Sequence, residues 1–163
     1  SLLSKKHKNI ILTNVGKIVE KTKMNCQNIL KTKDLLDKVN FKRFINYENL
    51  SDEYSKADVV VVPSEIYESF SYTVAQGMAC EKIVIASNIG GIPETLKFGE
   101  LGKMFNPGNV NELANLMEEV LINKPKYKVI EKGARKYIIE NFSNAALKER
   151  YLKFYQNLIN VKN

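Results

Sequence analysis

The chain alternates between short apolar runs and longer segments of mixed character. Three runs are continuously apolar and rich in β-branched residues, at positions 10–12, 59–62 and 83–86. Such runs are typical of strands that a parallel sheet covers on both faces. A fourth candidate strand, residues 39–45, is more polar and is expected nearer an edge, and residues 102–105 form a short fifth one.

The segments between these runs are long enough for crossover helices. Residues 20–38 are moderately helical, and the helix after residues 59–62 is rich in small and apolar residues. A strand–helix–strand order repeated in this way predicts an α/β fold, a doubly wound parallel sheet in one unit.

The last third of the chain is predicted to be helical throughout. Asn109 can cap a helix, with Glu112 at the reciprocal position of a capping box, and Pro125 ends that helix. Apolar residues then recur at helical spacing along two further helices. The last of these stripes consists of Leu147, Tyr151, Phe154, Tyr155, Leu158 and Ile159.

Length and composition narrow the class of protein. The chain has 163 residues, 44% of them hydrophobic and 26% charged, which fits one globular domain with a sizeable core. No apolar run reaches the ~20 residues that a membrane-spanning helix needs. Two cysteines and one histidine cannot build a disulfide scaffold or a histidine zinc site. A reduced domain in the cytoplasm is therefore expected.

The net charge of +7 admits two interpretations. Of the 25 basic residues only three are arginine, the residue best suited to bidentate phosphate contacts, and the lysines are scattered. No aromatic residues interleave with a basic patch, so nucleic acid is not expected as a partner. The surplus fits a lysine-rich composition, with weak attraction to the inner face of a membrane as the main rival interpretation.

Candidate chemistry lies after the run of four valines. In doubly wound sheets, ligands bind beyond the carboxyl ends of the strands, where a loop enters a helix. Here a polar loop containing Glu68 leads into a helix expected to begin near Phe70 or Ser71, whose free N–H groups favour an anion. If Ser69 is near the N-cap, Gln76 falls on roughly the same face and could address the same ligand. The alternatives are that Glu68 caps a neighbouring helix and that Gln76 bonds only to nearby backbone.

This segment resembles a known family. The run PSEIYESFSYTVAQGMACEKIVIASNIGGIPET is similar to the signature PS…EGFGLVxLEAMAxGxPVVAxxxGGxPE of the retaining group 1, or family 4, glycosyltransferases. Downstream, Gly99, Gly102, Phe105 and Pro107 resemble the family's dGxxGxLfxPgd turn. Upstream, KVNFKRFINYENLSDEYSKADVVVVPS resembles vxflGxvxxeeLxxyyxxAdvfvxPS. The resemblance covers essentially the whole chain.

The resemblance implies a Rossmann-like, nucleotide-sugar-binding C-terminal half of a two-domain (GT-B) glycosyltransferase. Residues 1–163 would be that single donor-binding domain, lacking the family's first strand, its Arg/Lys phosphate clamp and the N-terminal domain. Residues of about 126–160 would pack partly on that missing domain. The implied activity is transfer of a hexose from a UDP- or GDP-linked donor to a glycan, lipid or other acceptor, as in polysaccharide biosynthesis. No metal or other cofactor is implied, and the chain alone is expected to be inactive.

The resemblance also assigns roles to individual residues. Glu68 matches the first acid of the motif, which contacts donor-sugar hydroxyls and helps place the anomeric centre. Gln76 stands where the family has a second acid that binds the two ribose hydroxyls, and an amide should bind them more weakly than a carboxylate. The other implied donor-binding residues are Gly16, Phe44, Ser69, Phe70, Ser71, Tyr72 and Thr73.

Two further expectations concern an alternative function and the last helix. A non-catalytic interaction domain that kept the fold is the alternative function, because Gln76 replaces an acid and the clamp is missing. The other expectation concerns the last helix, whose apolar stripe would lack the N-terminal domain as its packing partner. The chain would then form a homodimer through this helix, or the helix would fold back onto its own sheet.

Overall fold

A computed structural model describes residues 2–4 and 6–160. The chain divides into two compact units, Ser1–Glu53 and Tyr54–Asn163. Among the helices of the described residues, none combines the length and apolarity needed to cross a membrane.

The first unit contains one pair of parallel strands. Strand β1 is Leu12–Val15 and β2 is Val39–Lys42, with Leu12 opposite Val39. Between them lie helix α1, Glu20–Thr32, and a 3-10 turn, Leu36–Lys38. The predicted long helix therefore ends early, and the first strand lies two residues later than its apolar run.

The prediction that residues 10–12 are covered on both faces is wrong. Ile11 is 63% exposed and Leu12 is 51% exposed. The described part of this unit supplies only two strands, and α1 has no buried residue, so β1 is left exposed on all four positions. Helix α2, Tyr47–Lys56, follows β2 and crosses into the second unit.

The second unit contains the predicted parallel sheet. Strands β3 (Val59–Val62), β4 (Ile83–Ser87) and β5 (Lys103–Phe105) are neighbours in that order. Val59 lies opposite Ile83, and Ser87 opposite Phe105. All five residues of β4 are buried, as a central strand covered by helices on both faces requires.

Helices connect and cover these strands. Helix α3 is Tyr72–Ala79, α4 is Ile92–Thr95 and is followed by a 3-10 turn at Lys97–Gly99, and α5 is Val110–Ile122. Helix α6 is Lys124–Phe142 and α7 is Asn144–Asn160. Pro125 lies in the first turn of α6, where a missing N–H costs nothing.

Two hydrophobic clusters lie on opposite faces of β4, because successive side chains of a strand point to opposite sides. One joins Val84 and Ala86 to residues of α3 and α6, including Met78 and Ala134. In the other, strand residues pack with residues of the helices α5 and α6; its fully or almost fully buried members are Ile83, Ile85, Phe105, Val120 and Tyr127. Each fully buried aliphatic side chain contributes roughly 1.5–3 kcal/mol. The α/β fold expected from the hydrophobic pattern is confirmed, but the described strands form two parallel sheets, one in each unit, rather than the single sheet that was expected.

The predicted cap of α5 is present in a modified form. Asn109 Oδ1 accepts a hydrogen bond from the Glu112 backbone N–H at 3.1 Å. The Glu112 carboxylate accepts from the backbone N–H of Asn106 at 2.9 Å, and from the side-chain amides of Asn106 and Asn109. The acid therefore secures the loop before the helix as well as its first turn.

Helix α7 packs against α6 and keeps its apolar stripe in solvent. Leu147 is half-buried, whereas the other five residues of the stripe are at least 50% exposed. The expectation that this helix folds back onto its own sheet is wrong for the described residues, because α7 has no buried residue.

Candidate donor site at the start of helix α3

The candidate site lies in the loop between β3 and α3. Pro63 follows the last residue of β3, and the chain then runs without regular secondary structure to Ser71. Because parallel strands end at the same edge, the segment that follows β4 lies at that edge as well. The loop is thus placed where ligands bind in folds of this kind.

The Glu68 carboxylate is held from within this loop. Ser64 Oγ donates a hydrogen bond to Glu68 Oε1 at 2.6 Å, and both residues are half-buried. Within the described residues, Oε2 of Glu68 has no protein partner. One oxygen of the carboxylate is therefore fixed and the other is available to a ligand.

Two glycines hold the backbone of the same loop. The Gly91 N–H donates to the Glu68 carbonyl at 2.8 Å. A Cβ on Gly91 would lie 2.1 Å from the Ser69 carbonyl oxygen, and one on Gly90 would lie 2.4 Å from that of Glu68. Gly90 also has a φ of +58°, which strains other residues. The role of these glycines in seating Glu68 could not be read from the sequence, which indicated only a turn.

Phe70 anchors the far end of the loop. Its ring centroid lies 5.2 Å from that of Phe142 at the end of α6 and 5.4 Å from that of Tyr72. Tyr137 continues the cluster, 5.8 Å from Phe142. Edge-to-face and tilted pairs at these distances are favourable. The loop is therefore fixed by aromatic packing at one end and by glycines near its middle.

Helix α3 begins later than one of the sequence interpretations assumed. Its N-cap is Ser71, a buried residue in extended conformation whose side chain makes no capping hydrogen bond. Ser69 is therefore a loop residue, and its seven-residue spacing to Gln76 has no helical meaning. Gln76 instead shares a helix face with Tyr72 and Thr73, which are both exposed.

The N-terminus of α3 offers free backbone donors. The first hydrogen bond of the helix runs from the Ala75 N–H to the Ser71 carbonyl at 3.1 Å. The N–H groups of Tyr72, Thr73 and Val74 precede it and have no partner within the helix. Val74 is fully buried, whereas Tyr72 and Thr73 are exposed, so the N–H groups of these two residues and the helix dipole form a site suited to an anion.

Gln76 has a partner that the sequence did not reveal. The Tyr54 hydroxyl, on α2, donates to Gln76 Oε1 at 3.1 Å. Burial, with a smaller contribution from Cys80, raises the pKa of Tyr54, so this hydroxyl stays protonated and remains a donor. The alternative that Gln76 bonds only to nearby backbone is wrong, because its partner is a side chain 22 residues away.

Gly16 and Phe44 belong to the first unit, and the other seven candidate residues belong to the second. Gly16 directly follows β1, has a φ of +129°, and donates its N–H to the Lys42 carbonyl at 3.2 Å. Phe44 lies two residues after β2 and is 79% exposed. Both residues thus lie beyond the carboxyl ends of neighbouring strands.

A small cavity at the opposite end of the second sheet does not extend this site. It measures about 70 Å³ and lies where β3 and β4 begin. Its lysines are already paired: Lys124 with Asp58 at 2.7 Å, Lys128 with Glu131 at 2.7 Å, and Lys82 with a backbone carbonyl at 2.8 Å. Two of these lysines are therefore neutralised by carboxylates, and the third donates to a backbone oxygen.

Comparisons with known proteins show the family and the fold of the chain. The model of the family "Glycosyl transferases group 1" matches residues 1–137. An archaeal relative from Methanocaldococcus jannaschii, "uncharacterized glycosyltransferase MJ1607", is 34% identical over 106 residues, which is 65% of this chain and 27% of that protein.

Solved structures of the same fold include two cyanobacterial proteins. Sucrose-phosphate synthase from Thermosynechococcus elongatus superposes with a TM-score of 0.79 at 29% identity, over 92% of this chain and 39% of that one. Anabaena Alr3699/HepE, solved in complex with UDP, gives a TM-score of 0.87 at 20% identity, over 95% of this chain and 43% of that one.

The chain belongs to the group 1 glycosyl transferases. Its fold is the Rossmann-like one of the C-terminal domain of GT-B glycosyltransferases. It spans about a quarter of the length of the archaeal relative and less than half of the two solved proteins.

The close contact of Gly91 with the backbone of Glu68 and Ser69 predicts the effect of Gly91→Ala. Because the new Cβ would meet a backbone oxygen, the loop must move, and overpacking of this kind costs about 1–3 kcal/mol. Urea unfolding measures the loss. Gly133→Ala in α6 is the matched control: its Cβ would lie 3.7 Å from Leu101, an ordinary contact, and alanine favours the helix by up to about 1 kcal/mol. Equal stability of the two variants would contradict the conclusion that position 91 must be glycine for the Glu68 loop to pack there.

Proposed function

We propose that this chain is the donor-binding domain of a retaining glycosyltransferase that transfers a hexose from a nucleotide diphosphate sugar. The observation that carries the proposal is the Glu68 carboxylate, fixed by Ser64 at 2.6 Å and located just before the N-terminus of α3. A fixed acceptor for sugar hydroxyls beside a group of donors for phosphate matches the two chemical halves of such a substrate.

The diphosphate would bind at the start of α3. The free N–H groups of the exposed residues Tyr72 and Thr73 would donate to phosphate oxygens, and the helix dipole would favour their negative charge. The same groups would stabilise the diphosphate as the bond to the anomeric carbon breaks and its electron pair passes to the leaving oxygen. The incoming acceptor hydroxyl would bond to that carbon on the same face, and its proton would pass to the leaving phosphate oxygen.

The ribose would bind near Gln76 more weakly than at a carboxylate. Tyr54 already occupies Oε1 of this amide, so the Nε2 hydrogens remain to donate to a ribose hydroxyl oxygen. A neutral amide forms weaker hydrogen bonds than a charged group.

The rest of the reaction belongs to the whole protein. We propose that the acceptor, a glycan or lipid, binds in an N-terminal domain outside this chain, and that the 163-residue chain alone transfers no sugar. The reaction would need no metal, so EDTA should leave donor binding unchanged. A cytoplasmic location is supported by the free cysteines Cys26 and Cys80.

A non-catalytic interaction domain is the second candidate. It is favoured by the engagement of Gln76 Oε1 with Tyr54, which removes an acceptor from the ribose position. Such a domain would keep the fold without binding a nucleotide sugar.

Calorimetry of the chain with UDP, GDP and ADP separates the two candidates. UDP is the first probe, because it is the ligand in the Anabaena structure of the same fold. The donor-domain proposal predicts a dissociation constant of about 1 mM or tighter, equivalent to about 4 kcal/mol, for one of the three. Absence of binding to all three would favour the non-catalytic domain.

Substitutions at the two motif positions should act in opposite directions. In the intact parent protein, Glu68→Gln removes a charge-assisted hydrogen bond worth roughly 1.5–3 kcal/mol, so turnover should fall about ten- to a hundredfold. Gln76→Glu should tighten nucleotide binding, because it restores a charged acceptor for the ribose hydroxyls. The Tyr54 hydroxyl can still donate to one oxygen of the new carboxylate.

Turnover and melting temperature are measured together on both variants. A Glu68→Gln variant with normal turnover and an altered melting temperature would show that the residue has a structural role only. Looser nucleotide binding by Gln76→Glu would remove this residue from the ribose position.

We further propose that the chain, when separated from the rest of its protein, dimerises through α7. The exposed residues include Tyr151, Phe154, Tyr155 and Ile159, and a contiguous apolar surface of this kind favours association. Sedimentation equilibrium should then give a mass near 37 kDa, about twice 18.6 kDa. Phe154→Lys should return the chain to a monomer, and a wild-type monomer at all concentrations would contradict the proposal.

A further inference from the structure

The direction of the Glu68 carboxylate needs an explanation, because the residue lies in an irregular loop. A glutamate side chain has several rotatable bonds and loses considerable rotamer freedom when it is ordered. The contacts of Gly90 and Gly91 fix its backbone but do not reach the carboxylate. Some other group must determine the direction in which the carboxylate points.

Ser64 is well placed to be that group. It follows Pro63, whose ring restricts the backbone, and it lies two residues after the buried Val62 of β3. Its hydroxyl is therefore attached to the rigid sheet rather than to the middle of the loop. The 2.6 Å distance to Glu68 Oε1 is that of a charge-assisted O–H···O⁻ bond, the stronger class of hydrogen bond.

The geometry also assigns the two carboxylate oxygens different tasks. A serine hydroxyl has a single proton to donate, and here it goes to Oε1. Oε2 is left without a partner in the described part of the chain, and with Oε1 fixed its direction is fixed as well. An ionised carboxylate oxygen accepts hydrogen bonds only, so Oε2 is suited to a hydroxyl of a bound sugar.

We propose that Ser64 is a positioning residue that orients Glu68 Oε2 toward the sugar of the donor. This inference rests on the proposed function, because it assumes that the loop binds a nucleotide sugar. It adds a residue whose effect is confined to the sugar and does not extend to the nucleotide. A purely structural role, such as closing the turn between residues 64 and 68, would affect both parts of the ligand equally.

The test compares the binding of a nucleotide with that of its sugar conjugate, by calorimetry on the 163-residue chain. The probe pairs are UDP with UDP-glucose and GDP with GDP-mannose. Ser64→Ala should weaken binding of the sugar conjugate about tenfold, as expected for loss of one hydrogen bond to a charged group, and should leave binding of the free nucleotide unchanged. Ser64→Thr keeps the hydroxyl and should restore the wild-type ratio.

Two controls make the result specific. In a Glu68→Ala background, Ser64→Ala should cause no further loss, because no carboxylate is left for Ser64 to orient. Ser51→Ala removes an exposed hydroxyl from α2 and should leave the affinities for both ligands of a pair unchanged.

The outcomes distinguish this inference from the proposed function. If the wild-type chain binds neither pair, the donor-site proposal fails and the role of Ser64 fails with it. If the wild type binds one pair and Ser64→Ala weakens both of its ligands equally, or weakens neither, only the role of Ser64 is overturned.

Discussion

The close contact between Gly90–Gly91 and the backbone of Glu68–Ser69 is the constraint on which the candidate site depends. No side chain fits between these two segments, since a Cβ on Gly91 would lie 2.1 Å from a carbonyl oxygen. The loop after β3 is thereby fixed to the loop after β4. Strand β4 is buried along its whole length, so the loop that follows it has a well-supported start. The glycines of that loop contact the acidic loop and limit where its backbone can lie. Ser64 and Phe70 then fix the carboxylate and the far end of that loop.

The second sheet and its helices account for the direction of the α3 N-terminus. Gly77 allows α3 to lie close to the sheet, because a Cβ there would be 3.0 Å from Val84 and 3.2 Å from Val60. Val74 and Met78 fill the remaining space and are fully buried. The helix is held along its length, so its first N–H groups keep their position without a capping side chain.

Much of the second unit could be predicted from the sequence, for physical reasons. Runs such as Val59–Val62 and the five residues of β4 are buried on both faces, so continuous apolarity identifies them. The cap at Asn109 could also be predicted, because it involves only the side chain of Asn109 and the backbone N–H of Glu112, three residues later in the chain. The same reasoning fails for Ile11 and Leu12, where an apolar run is not covered.

The contacts that complete the site could not be predicted, because they join residues far apart in the chain. Nothing in the sequence near Tyr54 indicates Gln76 as its partner, and nothing near Gly91 indicates the Glu68 carbonyl. Helix α3 also begins at Tyr72 rather than earlier, since packing of Val74 and Met78 on the sheet determines where the helix begins. Local patterns identify the elements, whereas tertiary packing sets the exact positions of the site residues.

We propose that a nucleotide sugar binds at the Glu68 loop and the first turn of α3. An NMR titration of the ¹⁵N-labelled chain with UDP-glucose tests it most directly, because each backbone N–H reports on its own surroundings. We expect the largest shifts at residues 68–74 and at Gly90 and Gly91, with little change at the cavity near Lys82, Lys124 and Lys128 at the opposite end of the sheet. Shifts concentrated at those lysines, or no shifts at millimolar ligand, would contradict it.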